Sequence, residues 1–300
     1  MERVILLNKP EGPTSHDMVD ALRAALGTRR VGHTGTLDPM ATGLLVMLTG
    51  RATRLAELFS GHDKLYRGRV SFGASTDTDD REGKVLESTD DFKLNAYNVN
   101  LALAELAERK EQRAPAYSAV KVGGVPLYKQ ARRGVEVKPP MRRVNIHKLE
   151  LVELGDGWAD LEISCSAGTY VRALARDLGE LLGIPAHLSA LERLAAGPFR
   201  LENAVDLAEI QAGPAATQGI SVDQALKHLP VARIEEKYLP RLLHGNQPGE
   251  GDLVLPNPLP DEGAWVALRE ESGRLHGLGR VEMREEGLSL RLRRSLESTE

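Results

Sequence analysis

The sequence predicts an α+β fold built on a mixed, largely antiparallel central sheet flanked by helices, and three observations carry that expectation. Strand-like and helix-like segments do not alternate as a doubly wound parallel sheet would require. The strongest local signal is a hairpin, with Ile146 to Leu154 and Trp158 to Cys165 alternating in polarity on either side of Gly155-Asp156-Gly157. Residues 230–300 hold only short strand candidates separated by Gly, Pro, Asp and Asn turns, which marks a small β-rich module.

The elements follow in order. Val4 to Leu7 reads as a strand, and Ser15 is placed to cap a helix over about Asp17 to Leu26 with Gly27 as its stop. The segment Gly32 to Gly43 is too rich in Gly, Thr and Pro for helix or strand; Leu44 to Leu48 then forms an apolar, strand-like run. Ala52 to Phe59 predicts a short helix ending at Gly61, Tyr66 to Phe72 a strand, and the Ala/Leu/Glu-rich Leu94 to Arg109 a helix. After the hairpin, Thr169 is expected to cap a helix whose Val171, Leu174, Leu178 and Leu181 form one core-facing stripe. The chain turns small and polar at Gly213 to Gly219, and a domain boundary is expected near Leu229-Pro230. Beyond it, Leu253 to Leu255, Trp265 to Leu268, Leu278 to Val281 and Leu288 to Leu292 are strand candidates.

With 300 residues, 41% hydrophobic and 27% charged, the chain suits one large and one small domain of an ordinary globular protein. No apolar run approaches a membrane span and no signal-peptide pattern is present, so a cytoplasmic setting without a membrane partner is expected. Cys165 is the single cysteine, which excludes an intrachain disulfide and a cysteine-rich zinc site. The net charge of −4 hides an uneven distribution. From Arg109 to Lys148 eleven basic residues, Arg132 and Lys138 among them, face only Glu111 and Glu136, a local excess of +9. Pro115, Tyr117, Gly123, Gly124, Tyr128 and Pro139-Pro140 are interleaved with them, a mixture that makes an adaptable loop suited to a phosphate backbone.

Gly32-His33-Thr34-Gly35-Thr36-Leu37-Asp38-Pro39-Met40-Ala41-Thr42-Gly43-Leu44 presents one carboxylate in a backbone-exposing loop beside a core strand. No Lys follows its glycines as a P-loop requires, and their spacing does not fit G-x-G-x-x-G. Taken alone, Asp38 reads either as a turn acid capping local backbone or as a reactive carboxylate.

The wider set of motifs separates the two. The segment from Gly32 to Gly43 resembles the catalytic loop of the bacterial (TruB-type) pseudouridine synthases that modify uridine 55 in the T-loop of tRNA. Upstream, Asn8-Lys9-Pro10-Glu11-Gly12-Pro13-Thr14-Ser15 resembles the family's opening motif. Downstream come Lys64-Leu65-Tyr66, Thr76-Asp77-Thr78-Asp79-Asp80, Lys121-Val122-Gly123-Gly124 with Leu127-Tyr128, and Cys165-Ser166-Ala167-Gly168-Thr169-Tyr170-Val171-Arg172. Asp177-Leu178-Gly179 and Leu191-Glu192-Arg193-Leu194 close an ordered series over roughly residues 4–200.

The resemblance implies the pseudouridine synthase fold, with a catalytic domain over 1–229 and a thumb-like RNA-binding insertion at about 114–140. A PUA-like RNA-binding domain over 230–300 is implied as well, with Leu243-His244-Gly245-Asn246 near its entry. Asp38 is implied as the essential acid, Arg172 as its ion-pair partner, Asp80 as a second acid on that arginine, and Tyr66 as the aromatic against the target base. Tyr170 and Leu191 are implied as pocket walls and His33 as the prop for RNA whose uridine has left its stack. The Thr76 to Asp80 stretch also invites a calcium reading, but Arg81 and Glu82 stand where an EF-hand loop needs a ligand and a glycine. No cofactor and no metal are implied, the partner is the T-arm of tRNA, and a monomer without an obligate protein partner is expected. Binding should weaken with salt. Ala167 replaces a commonly basic residue of the family, which bears on one phosphate contact. Two other readings stand beside this one: a guide-RNA-dependent pseudouridine synthase, and a non-catalytic tRNA-folding or RNA-binding protein.

Overall fold

The computed structural model describes residues 2–131, 133–135, 139–213, 219–243, 246–248, 251–284 and 287–295. Arg132 and Lys138 of the basic run, residues 214–218 of the small polar stretch and His244-Gly245 lie outside the described residues. Two compact units are present, residues 1–219 and 220–300, so the boundary expected at Leu229-Pro230 falls inside the second unit.

The first unit opens with β1 (Arg3–Lys9), α1 (Ser15–Leu26), β2 (Val31–His33) and β3 (Ala41–Thr49). A 3-10 turn (Gly50–Leu55) runs into α2 (Ala56–Ser60), then β4 (Lys64–Phe72), β5 (Ala74–Thr76), β6 (Val85–Ser88) and α3 (Ala96–Glu108). Next come β7 (Glu111–Arg113), β8 (Lys121–Val122), β9 (Val125–Pro126), α4 (Leu127–Ala131) and β10 (Met141–Arg143). The unit closes with β11 (Ile146–Gly155), β12 (Trp158–Cys165), α5 (Val171–Leu182), β13 (Ala186–Ala196), β14 (Phe199–Arg200), β15 (Val205–Asp206) and α6 (Leu207–Ala212). The main sheet runs β11-β12-β4-β13-β3-β1-β15. Only β13–β3 and β1–β15 are parallel along that path, so the sheet is mixed and largely antiparallel. Strand β7 pairs with β10, closing the base of the segment 114–140.

Two helix starts differ from the sequence expectation. Thr14, not Ser15, caps α1: its hydroxyl accepts from the Asp17 N–H at 3.1 Å and the Asp17 carboxylate accepts from the Thr14 N–H at 2.7 Å. This reciprocal capping box leaves the Ser15 hydroxyl free for another task. Helix α5 begins after Tyr170 without a side-chain cap, so Thr169 lies one residue too early. The N–H of Tyr170, the residue at the cap position, donates at 2.9 Å to Gln112 Oε1, reaching over from β7.

Strand β13 was not among the expected elements, yet it is central. Its inward face contributes Ala186, Leu188 and Leu191 to a core shared with Ile5, Leu7, Leu45, Met47, Val70, Leu161, Ile163, Leu174 and Leu178. Gly43 lets β3 and β13 lie this close. It sits at φ +93°, and a Cβ there would stand 2.5 Å from the Arg193 carbonyl oxygen and 2.8 Å from its nitrogen. Backbone cannot yield as a flexible side chain can. Gly43→Ala is therefore expected to lose about 3 kcal/mol of stability, read as a lower midpoint in urea denaturation. A wild-type midpoint in the variant would remove this account of the β3–β13 contact.

The second unit is β-rich. Its sheet orders Leu253–Val254, Val231–Ile234, Trp265–Arg269, Leu275–Arg284 and Gly287–Ser295. Val231–Ile234 is additional to the expected strands and pairs in parallel with Trp265–Arg269. Ala232, Ile234, Val266, Leu268, Val281, Leu290 and Leu292 form its separate core. Among the described residues, no helix is long and apolar enough to cross a membrane.

Candidate active site

The loop between β2 and β3 is held by side chains that grip its backbone. Ser15 Oγ, at the start of α1, accepts from the Leu37 N–H at 2.8 Å and donates to the Leu37 carbonyl at 2.9 Å. Lys9, wholly buried at the end of β1, donates to the carbonyls of Pro10 (2.8 Å), Pro39 (3.1 Å) and Ala41 (2.7 Å). Burial pushes the Lys9 ammonium below its ordinary pKa, and the Asp38 carboxylate is the foremost charge opposing that shift. From β13, buried Arg193 donates to the Leu44 carbonyl at 2.6 Å and the Gly35 carbonyl at 3.1 Å. The Asp38 backbone is thus fixed from two sides before its side chain meets anything.

The Asp38 side chain meets Arg172, the second residue of α5. Arg172 Nε lies 2.9 Å from Asp38 Oδ2, and Nη2 lies 3.4 Å from Oδ1. Nη1 is 3.3 Å from Asp80 Oδ2 and donates to the Thr78 carbonyl at 2.9 Å, while Nη2 donates to the Tyr117 carbonyl at 3.1 Å. The side chains of Arg172 and Asp80 are 8% and 5% exposed, whereas that of Asp38 is 36% exposed. A buried arginine, backed by a buried acid, therefore presents one carboxylate to the outside. Asp80 is itself held by the Thr78 hydroxyl at 2.6 Å and the Glu82 N–H at 3.0 Å. Asp77 accepts from the Lys84 N–H at 2.8 Å and Asp79 pairs with Arg176 at 2.8 Å, so the acids of this turn address arginines and backbone.

Tyr66 and Leu191 sit on the adjacent strands β4 and β13 and belong to one nearly buried cluster with Leu37 and Met40. Gly68 lies opposite Leu191 in the register, and a Cβ there would meet Leu191 Cδ1 at 3.5 Å, an ordinary packing distance. Burial pushes the Tyr66 phenol upward, opposed first by Arg193, so it keeps its proton at neutral pH. His33 Nδ1 accepts from the Gly35 N–H at 3.3 Å, which puts the proton of the neutral ring on Nε2. Burial and then Arg193 lower the His33 pKa and keep the ring neutral. Tyr170 is pinned through its backbone, because Gln112 Nε2 also donates to its carbonyl at 3.1 Å.

The structure brings Asp38 and Asp80 onto the one guanidinium of Arg172, and it places Tyr66 and Leu191 in one buried cluster on neighbouring strands, with Tyr66 opposite Arg193 in the register. His33 lies at the far end of the acid loop, and Tyr170 immediately precedes α5, where the contacts described for it are those of its backbone with Gln112. Sequence assigns no task to Lys9, Gln112, Thr78, Arg176 or Arg193, and Ser15, expected as the α1 cap, instead holds the acid loop. The one local signal is a lysine two residues past the apolar run Val4 to Leu7, where a strand that continues must bury the charge and satisfy its donors.

Lys64, the first residue of β4, gives the fold a pH signature. Its ammonium donates to the carbonyls of Ser60 (2.6 Å) and His62 (2.5 Å), and burial, followed by Arg193, lowers its pKa from 10.5 to about 8. Between those values Lys64 holds more proton in the unfolded chain than in the folded one, so its contribution to stability rises with pH through that window. The buried Cys165 thiol, pushed up from 9.0 to about 11, costs stability over the upper part of the same window. The Lys64 contribution of about 2 kcal/mol, discounted for residual solvent contact, is therefore read as the difference between the pH profiles of wild type and Lys64→Met in denaturation experiments. No difference between the two profiles would assign the wild-type dependence to other groups.

The same architecture occurs in solved structures. An H/ACA RNP bound to a substrate RNA containing 2'-deoxyuridine matches with TM-score 0.74 at 21% identity, covering 99% of this chain and 85% of that one. A Cbf5-Nop10-Gar1 complex matches with TM-score 0.76 at 23% identity, covering 98% and 85%. Residues 23–171 fit the model of the TruB family pseudouridylate synthase N-terminal domain, and residues 172–241 fit that of the tRNA pseudouridylate synthase B C-terminal domain. The class defined by this fold and these models is the pseudouridylate synthases, which are isomerases. The tRNA pseudouridine synthase B of Geobacillus kaustophilus (strain HTA426) is 43% identical over 82% of this chain and 90% of its own length. That of Symbiobacterium thermophilum is 45% identical over 83% of each. The chain belongs to the TruB family of pseudouridylate synthases.

Proposed function

We propose that this chain converts uridine 55 in the T-loop of tRNA into pseudouridine, with Asp38 as the essential carboxylate. The observation that carries the reading is the half-exposed Asp38 carboxylate held by a buried arginine. The reaction breaks the C1′–N1 bond, turns the retained uracil and joins C1′ to C5. The C5 proton leaves to solvent and N1 gains one, so no redox equivalent is consumed. Arg172 orients the carboxylate, and Asp80 fixes Arg172 from behind. The protonated Tyr66 phenol stands against the base and close enough to serve the proton transfer, while Tyr170 and Leu191 wall the detached uracil. His33 offers Nε2–H to the RNA strand once the uridine is flipped out, a step costing a few kcal/mol.

The insertion around 114–140 would close over the T-arm, and the second unit would add a PUA-like RNA contact. We expect the chain to act in the cytoplasm as a monomer, without cofactor or obligate protein partner. The test uses an unmodified tRNA transcript carrying tritium at C5 of uridine. Release by the purified chain alone supports the reading. RNA binding with no release would point instead to guide-dependent action or RNA folding.

A further inference from the structure

Behind the Asp38–Arg172–Asp80 cluster lies a second acid–arginine pair, one helical turn along α5. Arg172 and Arg176 stand four residues apart and so project from one face of the helix. They meet two consecutive acids: Arg172 Nη1 lies 3.3 Å from Asp80 and Arg176 Nη1 lies 2.8 Å from Asp79. Consecutive side chains of an extended strand point to opposite sides. Here the backbone departs from that rule, because Asp79 adopts φ +60°, the left-handed region seldom used by residues other than glycine. The conformation is kept by partners on both sides. The Asp79 carbonyl accepts from the Leu188 N–H at 3.0 Å, the Leu188 carbonyl accepts from the Arg81 N–H at 3.0 Å, and Arg176 holds the carboxylate.

Arg176 is anchored in turn. Its Nε and Nη2 contact Asp177 Oδ1 at 2.9 and 2.7 Å, and Nη2 donates to the Arg113 carbonyl at 3.0 Å. Arg113 ends β7, four residues before Tyr117, whose carbonyl receives Arg172. The two arginines thus hold the same two pieces of chain, the 78–80 turn and the start of the insertion, at successive levels. The side chains of Arg176 and Asp79 are 14% and 13% exposed, too buried for an incidental surface pair.

We propose that Arg176 and Asp79 form a positioning pair that sets the 78–80 turn and the base of the insertion so that Arg172 delivers Asp38 in register. Neither residue touches the reacting carboxylate. Their effect belongs to the rate of the chemical step and not to RNA affinity. The proposal rests on the isomerase reading above.

The experiment is single-turnover tritium release at saturating tRNA, with filter binding alongside, for wild type, Arg176→Gln, Arg176→Lys, Asp79→Asn and the Arg176→Gln/Asp79→Asn double variant. Asn tolerates the left-handed region, so Asp79→Asn removes the charge while sparing the turn. Arg176→Gln and Asp79→Asn are each expected to slow release about 10- to 100-fold, as small misplacements do, with RNA affinity within about twofold of wild type. The double variant should be no slower than the worse single one, and Arg176→Lys should recover part of the rate. Wild-type rates in the single variants, additive losses in the double, or a loss confined to RNA binding would each overturn the proposal. If Arg176→Gln does not fold, Asp79→Asn and Arg176→Lys decide by the same rate and affinity readouts. An inactive wild type would instead refute the isomerase reading on which it stands.

Discussion

Asp38→Asn should release no measurable tritium from tRNA under conditions where the wild type completes the reaction, a loss of more than about a thousandfold. Asn preserves the shape of the side chain and removes its charge and its capacity to attack or to accept a proton. The rest of the site has no reason to move. The loop backbone is held by Ser15, Lys9 and Arg193 and not by the carboxylate. Arg172 keeps Asp80 and the carbonyls of Thr78 and Tyr117. Arg172 is buried, but it keeps Asp80 as its counter-charge, and the amide oxygen of the substituted side chain can still accept from its Nε. RNA binding is therefore expected within about twofold of wild type, and stability within about 1 kcal/mol. Release by the variant at a tenth of the wild-type rate would remove Asp38 from the chemistry. Loss of binding together with release would make it an RNA contact instead.

What sequence reveals here depends on the range of the interaction. The Gly155-Asp156-Gly157 hairpin, the α1 stop at Gly27 and the stripe on α5 are local patterns and are legible as such. Strand β13 is not, because Ala-His-Leu-Ser-Ala-Leu-Glu-Arg-Leu-Ala-Ala is rich in strong helix formers. Its position between β4 and β3, with alternate residues buried, overrides that preference. The capping of α1 was ambiguous in principle, since Thr14 and Ser15 are adjacent hydroxyls. Only the loop at Leu37, 22 residues away, shows which one is spoken for.

The site follows the same rule. Asp38 and Arg172 are 134 residues apart, and no spacing in the chain announces their meeting; the resemblance supplied it. Lys9 and Arg193 fell inside recognised motifs, but their acceptors are backbone carbonyls 32 and 149 residues away. A carbonyl has no residue identity, so its demand for a donor leaves no mark in the sequence at the accepting end. Residues that perform chemistry are legible by type, whereas those that hold them become visible only when the chain is folded.

Arg172→Met is expected to remove activity and also about 3–5 kcal/mol of stability, the toll of leaving a buried charge without its partner. The guanidinium makes five nitrogen–oxygen contacts, two to Asp38 and one each to Asp80, Thr78 and Tyr117. Asp38 can turn to solvent when the arginine goes; Asp80, 5% exposed, cannot. The stability loss should therefore trace to Asp80, and Arg172→Met/Asp80→Asn should regain most of it while remaining inactive, because Asp38 still lacks its orienting partner. Arg172→Lys should fall between, since a single ammonium cannot span two carboxylates and two carbonyls. Denaturation midpoints and tritium release on the four proteins separate the two roles. If the double variant is no more stable than Arg172→Met, the cost lies in the contacts to Thr78 and Tyr117 and not in the orphaned acid. If it regains activity, Arg172 serves only to neutralise Asp80, and Asp38 needs no arginine to act.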